Sequence, residues 1–151
     1  MSDVTVRPLR EDDLDPWLPM FSGYCQFYGQ SCDEAKGRTV WKWLMDPDHM
    51  LRGIVAEDER GSLQGFAHFH PWPSTLAGAD VCYLSDLFVA PTSRGKRIGK
   101  RLYLEVFAEC KRQGWPAIEL LTQASNKVGQ GLYDQYGQAT DFLFYVSPVP
   151  E

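Results

Sequence analysis

Leu84-Ser85-Asp86-Leu87-Phe88-Val89-Ala90-Pro91-Thr92-Ser93-Arg94-Gly95-Lys96-Arg97-Ile98-Gly99-Lys100-Arg101-Leu102 runs from a buried strand through a basic loop into a helix. The strand reaches back to Val81, and its near-continuous apolar character predicts a central strand covered on both faces. Pro91 ends it. Ile98, Leu102, Val106 and Cys110 then recur every four residues, which is one apolar face of a helix. A helix N-terminus exposes unpaired N–H groups and a partial positive charge. Gly95 and Gly99 allow close backbone approach, while Arg94, Lys96, Arg97 and Lys100 add full charges. The loop therefore suits a pyrophosphate. It lacks both the Gly-Lys-Ser/Thr ending of a Walker loop and the Gly-x-Gly-x-x-Gly spacing of a dinucleotide fingerprint. Taken alone, it also reads as a basic turn before a solvated helix.

Upstream, residues 4–9 predict a first strand. Asp12 or Asp13 can cap a helix through Leu14, Trp17, Leu18 and Phe21, with Pro16 and Pro19 delaying or bending it. A second helix is predicted over 35–45, then antiparallel strands over 51–57 and 63–72 around the turn Asp58-Glu59-Arg60-Gly61. Downstream, Gly114 and Pro116 stop the long helix, 117–122 reads as a buried strand, and 126–136 as a helix carrying Val128, Leu132 and Tyr136 on one stripe. Residues 142–146 read as a closing strand. The predicted order is β-α-α-β-β-β-α-β-α-β, a mixed sheet with helices on its faces.

The chain of 151 residues suits one domain, taken as 1–151, and can bury a core without staples. A formal charge of −5 argues against nucleic acid as a partner and is compatible with a cationic acceptor. No apolar run approaches the ~20 residues of a membrane span. Met1–Arg7 has no basic segment followed by an apolar run, so it does not read as a signal peptide. A cytoplasmic location follows as the expectation. Cys25, Cys32, Cys82 and Cys110 form no Cys-x-x-Cys pair, so four reduced thiols and no metal are expected. His68 and His70 lie two apart on one strand face; without a third ligand they read as a pocket-facing or surface pair, one of them able to act as a base.

The Leu84–Leu102 segment resembles motif A of the GNAT superfamily of N-acetyltransferases, whose pattern is Arg/Gln-x-x-Gly-x-Gly/Ala. Asn126, Leu132-Tyr133 and Gly137 resemble the family's Asn-(six residues)-Tyr-x-x-x-Gly helix. Val6-Arg7-Pro8-Leu9 with Glu11-Asp12-Asp13 resembles the usual family start. Cys82–Val89 with Leu132-Tyr133-Asp134 is similar to the branch of polyamine acetyltransferases and yeast histone and D-amino-acid acetyltransferases. The resemblance spans nearly the whole chain. It implies a GNAT α/β fold: a mixed, mostly antiparallel sheet of six to seven strands flanked by about four helices. It also implies an acyl-CoA-dependent N-acetyltransferase, using acetyl-CoA and a small amine, polyamine, amino acid or protein lysine, with homodimerisation that the 142–146 strand can assist at an edge. The family's middle glycine is Arg97 here, expected to take ordinary helical angles.

What this implies for the site follows residue by residue. Arg94 to Lys100 hold the pyrophosphate, Asn126 hydrogen-bonds the CoA arm or caps its helix, and a bulged central strand pairs with pantetheine. The amides of Leu87, Phe88 and Val89 bind the carbonyl oxygen as charge develops. Where the polyamine branch has Glu-Asp, this chain has Ser85-Asp86, which leaves Asp86 as the carboxylate base, directly or through water. Asp86 reads equally as a polar residue pairing in the sheet. Tyr133 is the candidate general acid, or a tyrosine packing its helix on the sheet. Tyr24, Phe27, Tyr28 and Trp72 are candidates for an acceptor wall by cation–π contact, or ordinary core. Ser85 and Arg97 favour a rival reading, a CoA-binding sensor without catalysis; a different acyl donor is a third.

Overall fold

The computed structural model describes residues 3–151; Met1 and Ser2 of the N-terminal segment lie outside the described residues. Two compact units divide the chain, one ending at Leu121 and the other Thr122–Glu151.

The first unit is a five-stranded sheet in the order β1-β2-β3-β4-β5. β1 is Thr5–Pro8, β2 Arg52–Glu57, β3 Leu63–Ser74, β4 Ala79–Val89 and β5 Ile118–Leu120. The first three pairings are antiparallel and β4–β5 is parallel. α1 (Leu14–Phe27) and α2 (Glu34–Met45) precede β2, and α3 (Ile98–Gln113) joins β4 to β5. Pro16 sits in the first turn of α1, where a missing N–H costs nothing. Asp13 does not cap α1 through its side chain. Instead it is buried and accepts from both guanidinium ends of Arg7 at 2.8 and 2.9 Å and from the Arg10 amide at 2.8 Å. Asp33 caps α2 by accepting from the Lys36 amide at 2.8 Å.

Period-two alternation sorts the strands onto two faces. Phe66 and Val55 join Trp17, Phe21, Cys25 and Trp41 in one core beneath α1 and α2. Ile98, Leu102, Val106 and Cys110 of α3 are buried, as the four-residue repeat required, with Leu102 close to Gly65 of β3. Helices thus cover both faces of the central strands.

In the second unit α4 is Lys127–Tyr133, shorter than the expected 126–136 helix. The expected sheet of six to seven strands is corrected to five, because residues 142–146 form no strand. A strand exists only through a ladder partner, and among the described residues none pairs with this segment. The segment is exposed throughout.

Candidate active site

The site is built around an irregularity in β4. Across β3 and β4, His68 opposes Asp86 while Phe69 opposes Leu84, so Ser85 is an extra residue in β4. Such a bulge re-aims the side chains beyond it. Simple alternation would put Asp86 on the face of Cys82 and Leu84, under α3. With Ser85 inserted, Asp86 shares the other face with Tyr83 and His68. His68 Nδ1 lies 2.7 Å from Asp86 Oδ2, and the Ser85 hydroxyl lies 3.1 Å from the His68 carbonyl oxygen and 3.4 Å from the same carboxylate oxygen, able to donate to either. Burial pushes the Asp86 carboxyl up. The contacts with His68, Tyr24 and Ser85 together outweigh it, and the carboxyl lies below its ordinary value. Asp86 is therefore an ionised base candidate, its side chain about one-fifth exposed (19%). His68 is fully buried and both ring nitrogens are engaged, so the expectation of a pocket-facing or surface histidine is corrected for it. His70 is half-buried, its Nδ1 2.8 Å from the Pro71 carbonyl oxygen.

Beyond the bulge, among the described residues, β4 has a strand partner on one side only. β5 pairs with Cys82, Tyr83 and Leu84 and no further. The Ala90 amide donates to the Gln64 carbonyl of β3 at 2.9 Å. Alternation then turns the Leu87 and Val89 amides to the opposite edge, where β5 has ended, and Phe88 toward β3. Of the three amides expected to serve the site, two face the open edge.

The loop after β4 starts as a 3-10 turn, Pro91–Ser93, with the Ser93 hydroxyl buried against the Gln64 side chain. Gly95 has φ 82°, and a Cβ there would meet nothing within 4 Å. Arg97 has φ 61° and ψ 24° and is the N-cap of α3, with no side-chain cap. This corrects the expectation of helical angles: arginine here adopts the left-handed turn that glycine favours. The Arg97 side chain does not cap the first amides of α3. Lys96 and Arg97 are exposed. The Arg94 guanidinium folds back, donating to the Val89 carbonyl at 3.2 Å and lying 5.7 Å from the Phe88 ring and 6.0 Å from Phe27. Arg94 thus braces the loop as well as charging it.

The candidate wall residues fall into two groups. Tyr24, Phe27 and Tyr28 line the end of α1, with Tyr24–Tyr28 and Phe27–Tyr28 centroids 5.2 and 5.0 Å apart. Tyr24 also donates its hydroxyl to the Ser85 carbonyl at 3.2 Å, which ties α1 to the bulge. Trp72 instead joins His70 and Tyr83 on β3 and β4, at 5.9 and 5.3 Å. Tyr83 is not among the residues the sequence points to, and His68 is read there only as one of two histidines able to act as a base; the bulged register, which no residue pattern announces, brings both beside Asp86. In the second unit Asn126 caps α4, accepting from the Gly129 amide at 3.1 Å and donating to Thr122 Oγ1 at 2.9 Å. Tyr133 is the last residue of α4.

A family model described as the acetyltransferase (GNAT) family matches residues 14–138. The chain belongs to the GNAT acetyltransferase family. Among its relatives, the uncharacterized N-acetyltransferase YhfO of Bacillus subtilis is 28% identical over 97% of this chain and 99% of its own. The D-amino-acid N-acetyltransferase HPA3 of Saccharomyces cerevisiae is 27% identical over 94% of this chain and 89% of its own. A solved probable acetyltransferase superposes with a TM-score of 0.83 at 24% identity, covering 97% of this chain and 99% of that one. The aminoglycoside N-acetyltransferase AAC(6')-Iy, solved with CoA, gives 0.82 at 18% identity, covering 99% and 97%. These likenesses establish the GNAT fold.

As a GNAT protein the chain is an acyl-CoA-dependent N-acetyltransferase. Its own residues fit the donor, since the uncapped start of α3, the open space at Gly95 and the free β4 edge supply anion-binding and strand-like amides. Among the described residues no group of three or more His, Cys, Asp or Glu is placed to hold a metal, and no helix is long and apolar enough to cross a membrane. The expectation of four reduced thiols is corrected: Cys25 and Cys32 form a disulfide, Cα atoms 5.8 Å apart, and Cys82 and Cys110 are free and buried. The reason is local. α1 ends at Phe27, and Gly29 at φ 68° turns the chain back, so Cys32 returns to Cys25.

Proposed function

We propose that this enzyme acetylates a primary amine with Asp86 as the proton acceptor, in one complex with both substrates bound. Supporting this reading is an ionised, mostly buried carboxylate on a bulge, beside a strand edge with unpaired amides. Acetyl-CoA supplies the activated acetyl thioester. Arg94, Gly95, Lys96, Arg97, Ile98, Gly99 and Lys100 would hold its pyrophosphate, and Leu87, Val89 and Asn126 its arm, Phe88 between them being committed to β3. The amides of Leu87 and Val89 are candidates to stabilise negative charge at the carbonyl oxygen.

A lysine-like amine arrives as ammonium, with a pKa near ~10.4. The Asp86 carboxylate attracts it and is too weak a base to deprotonate it outright. An ammonium has no lone pair, so its first proton leaves to solvent before attack; Asp86 takes the second as the neutral nitrogen forms the C–N bond and its N–H becomes far more acidic. Tyr133 Oη is the candidate donor of the proton that the departing thiolate needs. Tyr24, Phe27, Tyr28 and Trp72 are assigned to the acceptor side, where exposed ring faces can attract a cation. The yeast relative's name supports including amino acids among the acceptors. The family match crosses the boundary between the two units, which supports a single acetyltransferase domain over 1–151. A homodimer belongs to the same reading, supported by the bare apolar segment at 142–146.

The test is a panel of amino acids, polyamines, small amines and lysine peptides, assayed for CoA release from acetyl-CoA. At least one class should support turnover, and Asp86→Asn should lower its kcat by about 10²-fold with CoA affinity kept. CoA binding without turnover on any amine would favour the sensor reading. An Asp86→Asn variant of parental rate would remove Asp86 from the chemistry.

A further inference from the structure

Three side chains form a chain of hydrogen bonds into the site. Trp17 Nε1 on α1 donates to His68 Nε2 at 3.1 Å, and His68 Nδ1 meets Asp86 Oδ2 at 2.7 Å. An indole N–H can only donate. His68 Nε2 must therefore hold a lone pair, and the ring proton resides on Nδ1, directed at the carboxylate. The ring is fully buried, 4.4 Å from Phe66 and stacked on it, with Trp17 and Phe21 at 5.7 and 6.0 Å.

We propose that His68 is a positioning residue: fixed by the Trp17 indole in its Nδ1–H tautomer, it orients Asp86 and keeps it the proton acceptor of the site. The inference rests on the reading of Asp86 as the base. It inverts the familiar arrangement in which a carboxylate orients a histidine. Its logic is that proton traffic through the ring is blocked in both directions. Giving the Nδ1 proton to Asp86 would leave an imidazolate among aromatic rings, an uncompensated buried charge. Taking a proton at Nε2 would require displacing the Trp17 N–H. The proton that the attacking nitrogen sheds as its C–N bond forms therefore ends on the Asp86 carboxylate and goes no further into the ring. The other titratable groups facing Asp86 are Tyr24 from α1 and Tyr83 on β4 itself. Burial, then the Asp86 charge, push the Tyr83 phenol above its ordinary value, so it stays protonated through neutral pH.

The experiment combines 15N NMR of His68, a 13C titration of the Asp86 carboxyl, and the acid limb of kcat/KM. Parent enzyme should show the Nδ1–H tautomer, and the Asp86 carboxyl should titrate below the ordinary aspartate value. His68→Phe keeps an aromatic ring and removes the donor; the carboxyl titration and the acid limb should both move up in pH. His68→Asn places an amide N–H where Nδ1 was and should restore most of the shift, which a merely space-filling role would not require. Trp17→Phe should release the lock, giving mixed tautomers. An Nε2–H tautomer in the parent would overturn the proposal, as would an unmoved carboxyl titration in His68→Phe. If His68→Phe fails to fold, the parent's tautomer and the His68→Asn titration decide. The two readings fail separately. A fully active Asp86→Asn variant defeats the base itself, whereas an inactive one with an unmoved His68→Phe profile defeats only the role of His68.

Discussion

Arg97 occupies a left-handed conformation that costs an L-residue roughly 1–2 kcal/mol relative to glycine. The side chain is exposed and its backbone starts α3, so the folded state gains no core packing that would offset the cost. Arg97→Gly should therefore raise stability by about 0.5–1 kcal/mol, the gain trimmed by the extra freedom of glycine in the unfolded chain. Thermal denaturation measures this, and an unchanged or lower Tm would mean that the arginine stabilises the turn in some other way. The sequence disclosed the basic, glycine-containing loop because charge and glycine are written in residue types. It did not disclose the angle at Arg97, since a rare conformation is imposed by the neighbouring turn. Asp86 was legible as the remaining carboxylate on the central strand. Its partner His68 was visible only as one of two histidines on a strand, because the pairing depends on one inserted residue, Ser85, in the opposing strand.

At the scale of elements, β3 and β4 hold the site and Gly65 sets how closely they approach. A Cβ at Gly65 would come within 2.5 Å of the Phe88 carbonyl oxygen and 3.3 Å of Leu102 Cδ1. The nearer obstacle is backbone, so it cannot yield by a rotamer change. Gly65→Ala should force β4 away from β3, destabilise the fold by about 1–3 kcal/mol, and weaken CoA binding by displacing Leu87 and Val89. Denaturant unfolding and calorimetry with CoA check both; wild-type values in both would show that the ladder relaxes without strain. The buried elements were legible for a related reason. Continuous apolar character marks β4, and the four-residue repeat marks α3. Elements with weaker burial were not legible in the same way. α4 stops at Tyr133 instead of running to 136, and 142–146 has strand-like residues without a strand partner.

For the whole molecule, the decisive quantity is uncovered apolar surface. Phe142, Leu143, Phe144, Tyr145 and Val146 are exposed by 77, 77, 70, 83 and 73%. A segment lying on a surface would alternate covered and bare side chains; this one is bare on both sides. Covering one such side chain contributes about 1.5–3 kcal/mol. Two copies bring ten of them to set against an association cost of roughly 4–15 kcal/mol, and reciprocal contact is the ordinary geometry of a twofold dimer. In the proposed homodimer a second copy would cover this segment, and the protein is then expected to run as a dimer in light scattering coupled to size exclusion. Phe142→Asp with Phe144→Asp should shift it toward monomer without disturbing the β-sheet signal, because neither side chain belongs to the core. The same double variant separates assembly from catalysis. If it turns over as a monomer, each copy carries a complete site. If it loses turnover while binding CoA at parental affinity, the second copy contributes to the acceptor side. A parent protein that stays monomeric at tens of micromolar would refute the dimer and leave the segment's apolar character without a partner.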